Sequence, residues 1–232
     1  MRGRRWIGAA CIVLCACVHG PPSPRAAQTF VVAPLNFNQQ LPEILAPGVP
    51  ILHDQIRALL EARGARVITP AFAEFHDAWL TSAKEVSTLY DAKGNLDPAR
   101  FDSAVAALAR SYGAQLESFD AMLLAYLEAR AVVIRGGYAQ WDGVLRRVRV
   151  QFQDHKDSHL PLRGIEAPCT SLRVLAYTPE GARLFDRRAG LEVVYDFEVS
   201  PGLQVIPRGD LFRDDRTLRE GVQQALAPLL RD

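Results

Sequence analysis

Residues 29–35 read Thr29-Phe-Val-Val-Ala-Pro-Leu35 and residues 66–70 read Arg66-Val-Ile-Thr-Pro70. Both are short β-rich apolar runs that stop at or beside a proline, the pattern of a strand. Between them Pro50 suits the first turn of a helix in which Leu52, Ile56, Leu59 and Leu60 recur at i, i+4, i+7 and i+8, and Gly64 ends it. Strand, helix and strand in about 40 residues predict a βαβ unit with a parallel strand pair and a right-handed crossover. The fold class that follows is α/β: a mixed β-sheet that begins with a parallel βαβ unit and packs against amphipathic helices.

The rest of the chain extends that start. Phe72, Phe75, Trp79, Ala83, Val86 and Tyr90 lie near helical spacing and predict a second helix over residues 71–90. Its aromatic stripe reads as core packing against the sheet, with a ligand groove as the rival. Asp91-Ala-Lys-Gly-Asn-Leu-Asp97 is a turn; with Lys at its third place and Gly at its fourth it does not fit a calcium loop. Asp97 is the N-cap of a third helix, Pro98 its first residue, and Phe101, Val105, Leu108 and Tyr112 its buried face, with Gly113 closing it.

Residues 122–134 pull both ways. Met-Leu-Leu-Ala-Tyr-Leu-Glu-Ala-Arg has helix formers, whereas the following Ala-Val-Val-Ile prefers a strand. A strand is expected, partly because the resemblance to a lipoprotein group given below implies a central strand there. The second half is β-rich: strands over 144–152, 171–178, 182–186 and 191–199, with a Pro179-Glu-Gly181 turn. A last helix from Asp215 places Leu218, Val222, Ala225, Leu226 and Leu229 on one face, and Pro228 frays its end.

With 232 residues, 49% of them hydrophobic and 23% charged, the chain can bury a core and is neither disordered nor collagen-like. A net charge of +1 gives no broad electrostatic drive toward nucleic acid. Of its 27 cations only Lys84, Lys93 and Lys156 are lysine.

The N-terminus follows another logic. Arg2, Arg4 and Arg5 precede residues 6–16, which carry no charge and are too few to span a bilayer as a helix, for which about 20 apolar residues are needed. Basic flank, apolar centre and small-residue exit match a secretory signal peptide. Its exit, Leu14-Cys15-Ala16-Cys17, resembles the lipobox of bacterial lipoproteins. That resemblance implies cleavage before Cys17, with Cys17 carrying diacylglycerol on its sulfur. An ordinary signal peptide cut after Ala27 is the rival, although Arg25 is a poor fit to a small-x-small site. The expected organisation is a signal peptide over 1–16, a lipid anchor and Pro-rich tether over 17–28, and one α/β domain over 29–232. Removal of Cys11 and Cys15 and acylation of Cys17 leave Cys169 alone, so no intramolecular disulfide is available. By resemblance to enterobacterial sorting, Val18 rather than Asp after that cysteine implies the periplasmic face of the outer membrane, with the inner membrane or soluble periplasm as alternatives.

Phe30-Val-Val-Ala-Pro-Leu, an amphipathic helix, Gly64-Ala-Arg-Val-Ile-Thr, then a helix ending Ser111-Tyr-Gly-Ala before a long strand is similar in order to a group of periplasmic lipoproteins. That group shares the fold of the TolB N-terminal domain, seen also in the lipoprotein activator of penicillin-binding proteins. The pieces Arg135-Gly-Gly-Tyr-Ala-Gln-Trp-Asp-Gly143 and Leu184-Phe-Asp-Arg-Arg-Ala-Gly-Leu191 resemble features of proteobacterial lipoproteins of the group. The resemblance implies an assembly, scaffolding or regulatory role at the envelope and names no partner.

Chemistry-bearing motifs are sparse. The chain has no G-x-S-x-G, H-E-x-x-H, phosphate-cradling glycine loop or C-x-x-C. His155 and His159 in Asp154-His-Lys-Asp-Ser-His159 have metal-ligand spacing, but their polar, Pro-bounded stretch reads as a solvated loop. His53, beside Asp54, reads as a surface residue, and Cys169 as a buried, inert thiol. Trp141 and Asp142, after Gly136-Gly137, are the candidate binding residues; the rival is a half-buried Trp covering the sheet. The expected protein is a non-enzymatic envelope lipoprotein without cofactor or metal, tied to a membrane by its N-terminal lipid and bound to an envelope protein. A small-molecule or glycan-binding module using the aromatics of 72–90 is the alternative, and a hydrolase using Cys169 or the His155/His159 loop a third.

Overall fold

A computed structural model describes residues 28–86, 88–116, 118–152, 165–199 and 203–230. β1 (Thr29–Val32) leads through a 3-10 turn (Glu43–Leu45) to α1 (Gly48–Glu61) and β2 (Arg66–Ile68). β1 and β2 pair in parallel, with Phe30 beside Val67, so the expected opening unit is present. α1 buries Leu52, Ile56 and Leu60, the stripe read from its spacing.

α2 (Phe72–Glu85) is shorter than expected. Tyr90 lies beyond it, exposed, in an isolated bridge with Leu96, and Phe72 at the first turn is 56% exposed and stacks on His76. Only the central part of the aromatic stripe faces inward. In the turn that follows, the Asp91 carboxylate accepts the amides of Lys93 and Asn95, both at 2.8 Å. α3 (Pro98–Gln115) is capped as expected: Asp97 Oδ1 accepts from Ala99 N and Arg100 N, worth about 1 kcal/mol. It does not stop at Gly113, which is helical and whose bare Cα leaves room for Pro179: a Cβ there would lie 3.1 Å from the Pro179 carbonyl oxygen.

The ambiguous segment is β3 (Ala121–Arg135), a single long strand. The alternation that marks a strand is missing from Met122 to Leu127 because both faces are buried. Leu123, Ala125 and Leu127 join Phe30 and Val32 against α1, while Met122, Leu124 and Tyr126 join Val31 and Ala33 against α2 and α3. Helices therefore cover the sheet on both sides. After β3 come β4 (Tyr138–Trp141), β5 (Val144–Arg147), β6 (Val150–Phe152), β7 (Glu166–Tyr177), β8 (Arg183–Val193), β9 (Tyr195–Val199), β10 (Leu203–Pro207) and α4 (Asp215–Ala225). α4 packs Leu218, Val222 and Ala225 into the α1 side of the core.

β3 pairs with parallel β1 at its start and with antiparallel β4 at its end, on one edge, and with β7 along the other; β8 lies beyond β7. β10, β9 and β6 form a second, three-stranded sheet. The sheet is thus mixed, in a mixed α/β protein with four α-helices among the described residues. Four strand expectations are corrected. The strand expected over 171–178 is β7, which begins at Glu166. Residues 144–152 are two strands in different sheets, because β6 leaves β5 to pair with β9. The strands expected over 182–186 and 191–199 are instead an unbroken β8 followed by β9. β4 and β10 were not expected as strands.

Candidate functional site

The outer half of β3 carries a β4–β5 hairpin that folds back over β7 and β8. Gly136 and Gly137 join β3 to β4 with φ of 57° and 80°, the doubly positive turn that matches strand twist and that side-chain-bearing residues resist. Along β4, Ala139 and Trp141 point into a third apolar cluster with Val132, Ile134, Val148, Ala167, Cys169, Val193 and Phe197, while Tyr138 and Gln140 face outward.

Trp141 and Asp142 are brought together, but as a clasp. Trp141 is buried and its Nε1 donates to the Thr170 carbonyl at 3.0 Å. The Asp142 carboxylate accepts from Arg130 Nη1 at 2.6 Å and Ser171 Oγ at 2.6 Å. Its carbonyl accepts from Gly190 N and from Gln224 Nε2 of α4. The hairpin is thereby tied to β3, β7, β8 and α4, which uses up the polar groups that these two residues would offer a ligand. The clasp needs Gly190: a Cβ there would lie 2.2 Å from Val144 Cγ2 and 2.9 Å from Trp141 Nε1. Gly190→Val is expected to lose about 1–3 kcal/mol of stability by overpacking and to change the near-ultraviolet circular dichroism of Trp141; urea unfolding and the spectrum check both.

What the hairpin exposes lies on its other face. Leu145 is 59%, Tyr138 45% and Val133 41% exposed. With Val132, Arg135 and Gln140 they line an open groove of about 500 Å³. Sequence reading missed Tyr138 and Leu145; the alternation of Tyr138-Ala-Gln-Trp141 was the available signal.

A second, more polar groove of about 190 Å³ lies between β5, β8 and the start of α4, lined by Arg146, Arg147, Arg149, Glu192, Asp196 and Arg208 among others. Arg208 is the hub. It donates from Nε to Asp210 at 2.9 Å and from Nη1 to the Val193 carbonyl at 3.1 Å, and its Nη2 lies 3.7 Å from Glu192 Oε1. The side chains of Arg208 and Glu192 are only 10% and 4% exposed. Burial raises the Glu192 carboxyl above the ordinary glutamate range, against the Phe212 amide that donates to it at 2.7 Å and the Arg208 charge. Asp210, hydrogen-bonded by Arg208 and Arg149, is held down at about 2. Asp196 Oδ1 is buried without a hydrogen-bond donor among the described residues. Nothing local in the sequence announces this cluster.

The remaining sequence candidates are placed apart from both grooves. Cys169 is fully buried in the third cluster, its thiol pushed up to about 12 by burial, so no thiolate is on hand near neutral pH. His53 sits half-buried on α1, and burial lowers its pKa. Phe75 and Trp79 are packed with Phe37, whose ring centroid lies 4.9 Å and 5.4 Å from theirs, edge to face. They fill the core between α2, α3 and the sheet instead of lining a groove. Cys17 and the His155/His159 stretch lie outside the described residues. Among the described residues no cluster of three or more His, Cys, Asp or Glu could hold a metal, and no helix is long and apolar enough to cross a membrane. Neither the protein-family models nor the curated proteins include a match to the chain.

Proposed function

We propose that the chain is a non-enzymatic lipoprotein of the cell envelope, anchored through Cys17 on the periplasmic face of the outer membrane, and that its α/β domain engages another envelope component. The domain on this reading shares the fold of the TolB N-terminal domain group, in keeping with its parallel β1–β2 opening and the order of elements that follows. The observation that carries the proposal is the sequence of residues 2–17: three arginines, an uncharged run, then Leu14-Cys15-Ala16-Cys17. Each buried methylene contributes about 0.8 kcal/mol, so two or three acyl chains hold a protein on a bilayer where one does not.

The geometry supports a working surface away from the anchor. The tether between Cys17 and Thr29 reaches at most about 40 Å. It enters the fold where Phe30 lies beside Ala121, at the start of β3. The hairpin leaves the other end of that strand, about 46 Å of strand path away. Cys17→Ser is expected to move the protein from the membrane pellet to the soluble fraction without altering its thermal unfolding. Fractionation with carbonate washing checks this, and a variant that stays in the pellet contradicts the anchor.

A further inference from the structure

The backbone of β3 offers a second observation at the hairpin end. Its pairing with β7 runs from Met122 opposite Tyr177 to Val133 opposite Glu166, and the Ile134 amide continues it by donating to the Ile165 carbonyl. Antiparallel ladders alternate between residues that bond across and residues that point away. Even-numbered residues of β3 therefore spend their backbone groups on β7, and odd-numbered ones turn theirs to the opposite edge. On that edge the Leu123 and Ala125 carbonyls accept from Ala33 N and Asn36 N. The Asn36 side-chain amide then stands in for a strand, accepting from Leu127 N at 2.9 Å and donating to Leu127 O at 3.0 Å. Pairing resumes with Ile134 opposite Ala139. Between these points no described strand pairs with the edge, and Ala129, Ala131 and Val133 are all exposed.

This gap borders the 500 Å³ groove, whose lining includes Val133, Tyr138 and Leu145. Arg135 and Arg147 flank Tyr138, one on each neighbouring strand. Among the described residues neither has a carboxylate within 4 Å, unlike Arg130, which is held by Asp142. An edge that no described strand pairs selects extended backbone, the groove selects apolar side chains at alternate positions, and the two guanidinium groups, without a carboxylate among the described residues and on the groove's own face, select an acidic side chain at one of those same positions.

Resting on the reading that the hairpin end meets an envelope partner, we propose that residues 129–133 take an extended segment of a partner protein as an added strand, its groove-facing side chains apolar along the middle and acidic at the hairpin end, where Arg135 and Arg147 lie on that same face. The probe is the acetylated peptide Glu-Thr-Val-Thr-Val-Thr-Glu, whose Val and Glu side chains share one face of an extended strand, added to the full-length protein in detergent micelles and followed by amide hydrogen exchange and fluorescence titration. Exchange at Ala129 and Ala131 is expected to slow at least tenfold. The counterpart peptide with Lys for Glu should bind at least tenfold more weakly. Ala131→Pro should weaken the acidic peptide at least tenfold, because it deletes an amide that points to the open edge while every bond to β7 remains. If that variant does not fold, Tyr138→Ser with Leu145→Ser, both at exposed positions, should weaken binding to the same extent. Absence of binding, binding without slowed exchange at these amides, or binding only to vesicles of anionic phospholipid overturns the proposal. The Cys17→Ser protein should bind the peptide like the parent, so failure of the anchor and failure of the edge are read separately.

Discussion

Phe75→Ala lowers the unfolding free energy by about 3–5 kcal/mol, the cost of emptying a well-packed aromatic site. Phe75 is fully buried on α2, edge-on to Phe37 at 4.9 Å and tilted against Tyr112 at 5.5 Å. Those contacts join α2, α3 and the segment after β1, so the cavity cannot close by moving one side chain. Phe72→Ala, one turn earlier on the same helix and mostly exposed, changes stability by about 0.5 kcal/mol or less. Urea unfolding of the pair checks the contrast. Equal effects would mean that the stripe is not the inner face of α2.

Arg208→Ala destabilises by about 3 kcal/mol at neutral pH, because it leaves the buried Glu192 carboxylate without its cation and frees Asp210. The loss depends on pH in a defined direction. Glu192 has a folded pKa above its ordinary value, so the native state takes up its proton first and its contribution to stability grows as pH falls from neutrality toward the ordinary value of 4.5. With Arg208 gone the carboxyl is raised further. The deficit of the variant therefore shrinks on acidification, when a protonated Glu192 no longer needs a partner. Asp210 behaves oppositely in the parent: its contribution is present above the ordinary 3.8 and is lost as pH falls toward about 2. Unfolding curves of parent and variant at pH 7.5 and 5 test the first statement, and a deficit that widens toward pH 5 contradicts it.

The two predictions mark where sequence reading succeeds and where it stops. The core stripes of α1, α3 and α4 and the cap at Asp97 were legible because each depends on residues within a turn or two of one another. The parallel opening was legible because two short apolar runs bracket one helix. β3 was harder, since a strand buried on both faces near Met122 to Leu127 loses its period of two, and the expectation leaned on the Val-Val-Ile that follows and on the family resemblance. β8 was split in the expectation, which ended one strand at Asp186 and began the next at Leu191. In the fold Asp186 and Arg188 are answered across strands: Arg173 of β7 binds Asp186 at 2.7 Å, and Arg188 binds Glu128 of β3 at 3.0 Å. Charge compensation at such sequence separation leaves no local trace.

The same reason hides most of the candidate site. Trp141 and Asp142 were found by residue type, but only their partners Thr170, Ser171, Arg130 and Gly190 reveal that they fasten the hairpin. Arg208 and Glu192 lie 16 residues apart with no spacing to connect them. The open stretch of β3 is a property of pairing, because Ala129-Arg-Ala131 differs little from any other strand segment until it is clear that Asn36 ends the pairing on one side and Ala139 resumes it on the other.

The anchor is tested most directly by mass spectrometry of the N-terminal peptide from protein extracted out of native membranes. The account predicts a chain that begins at Cys17 and carries the added mass of diacylglycerol on that residue. A mature N-terminus downstream of Cys17, or a peptide that still begins at Met1 and bears no lipid, contradicts it.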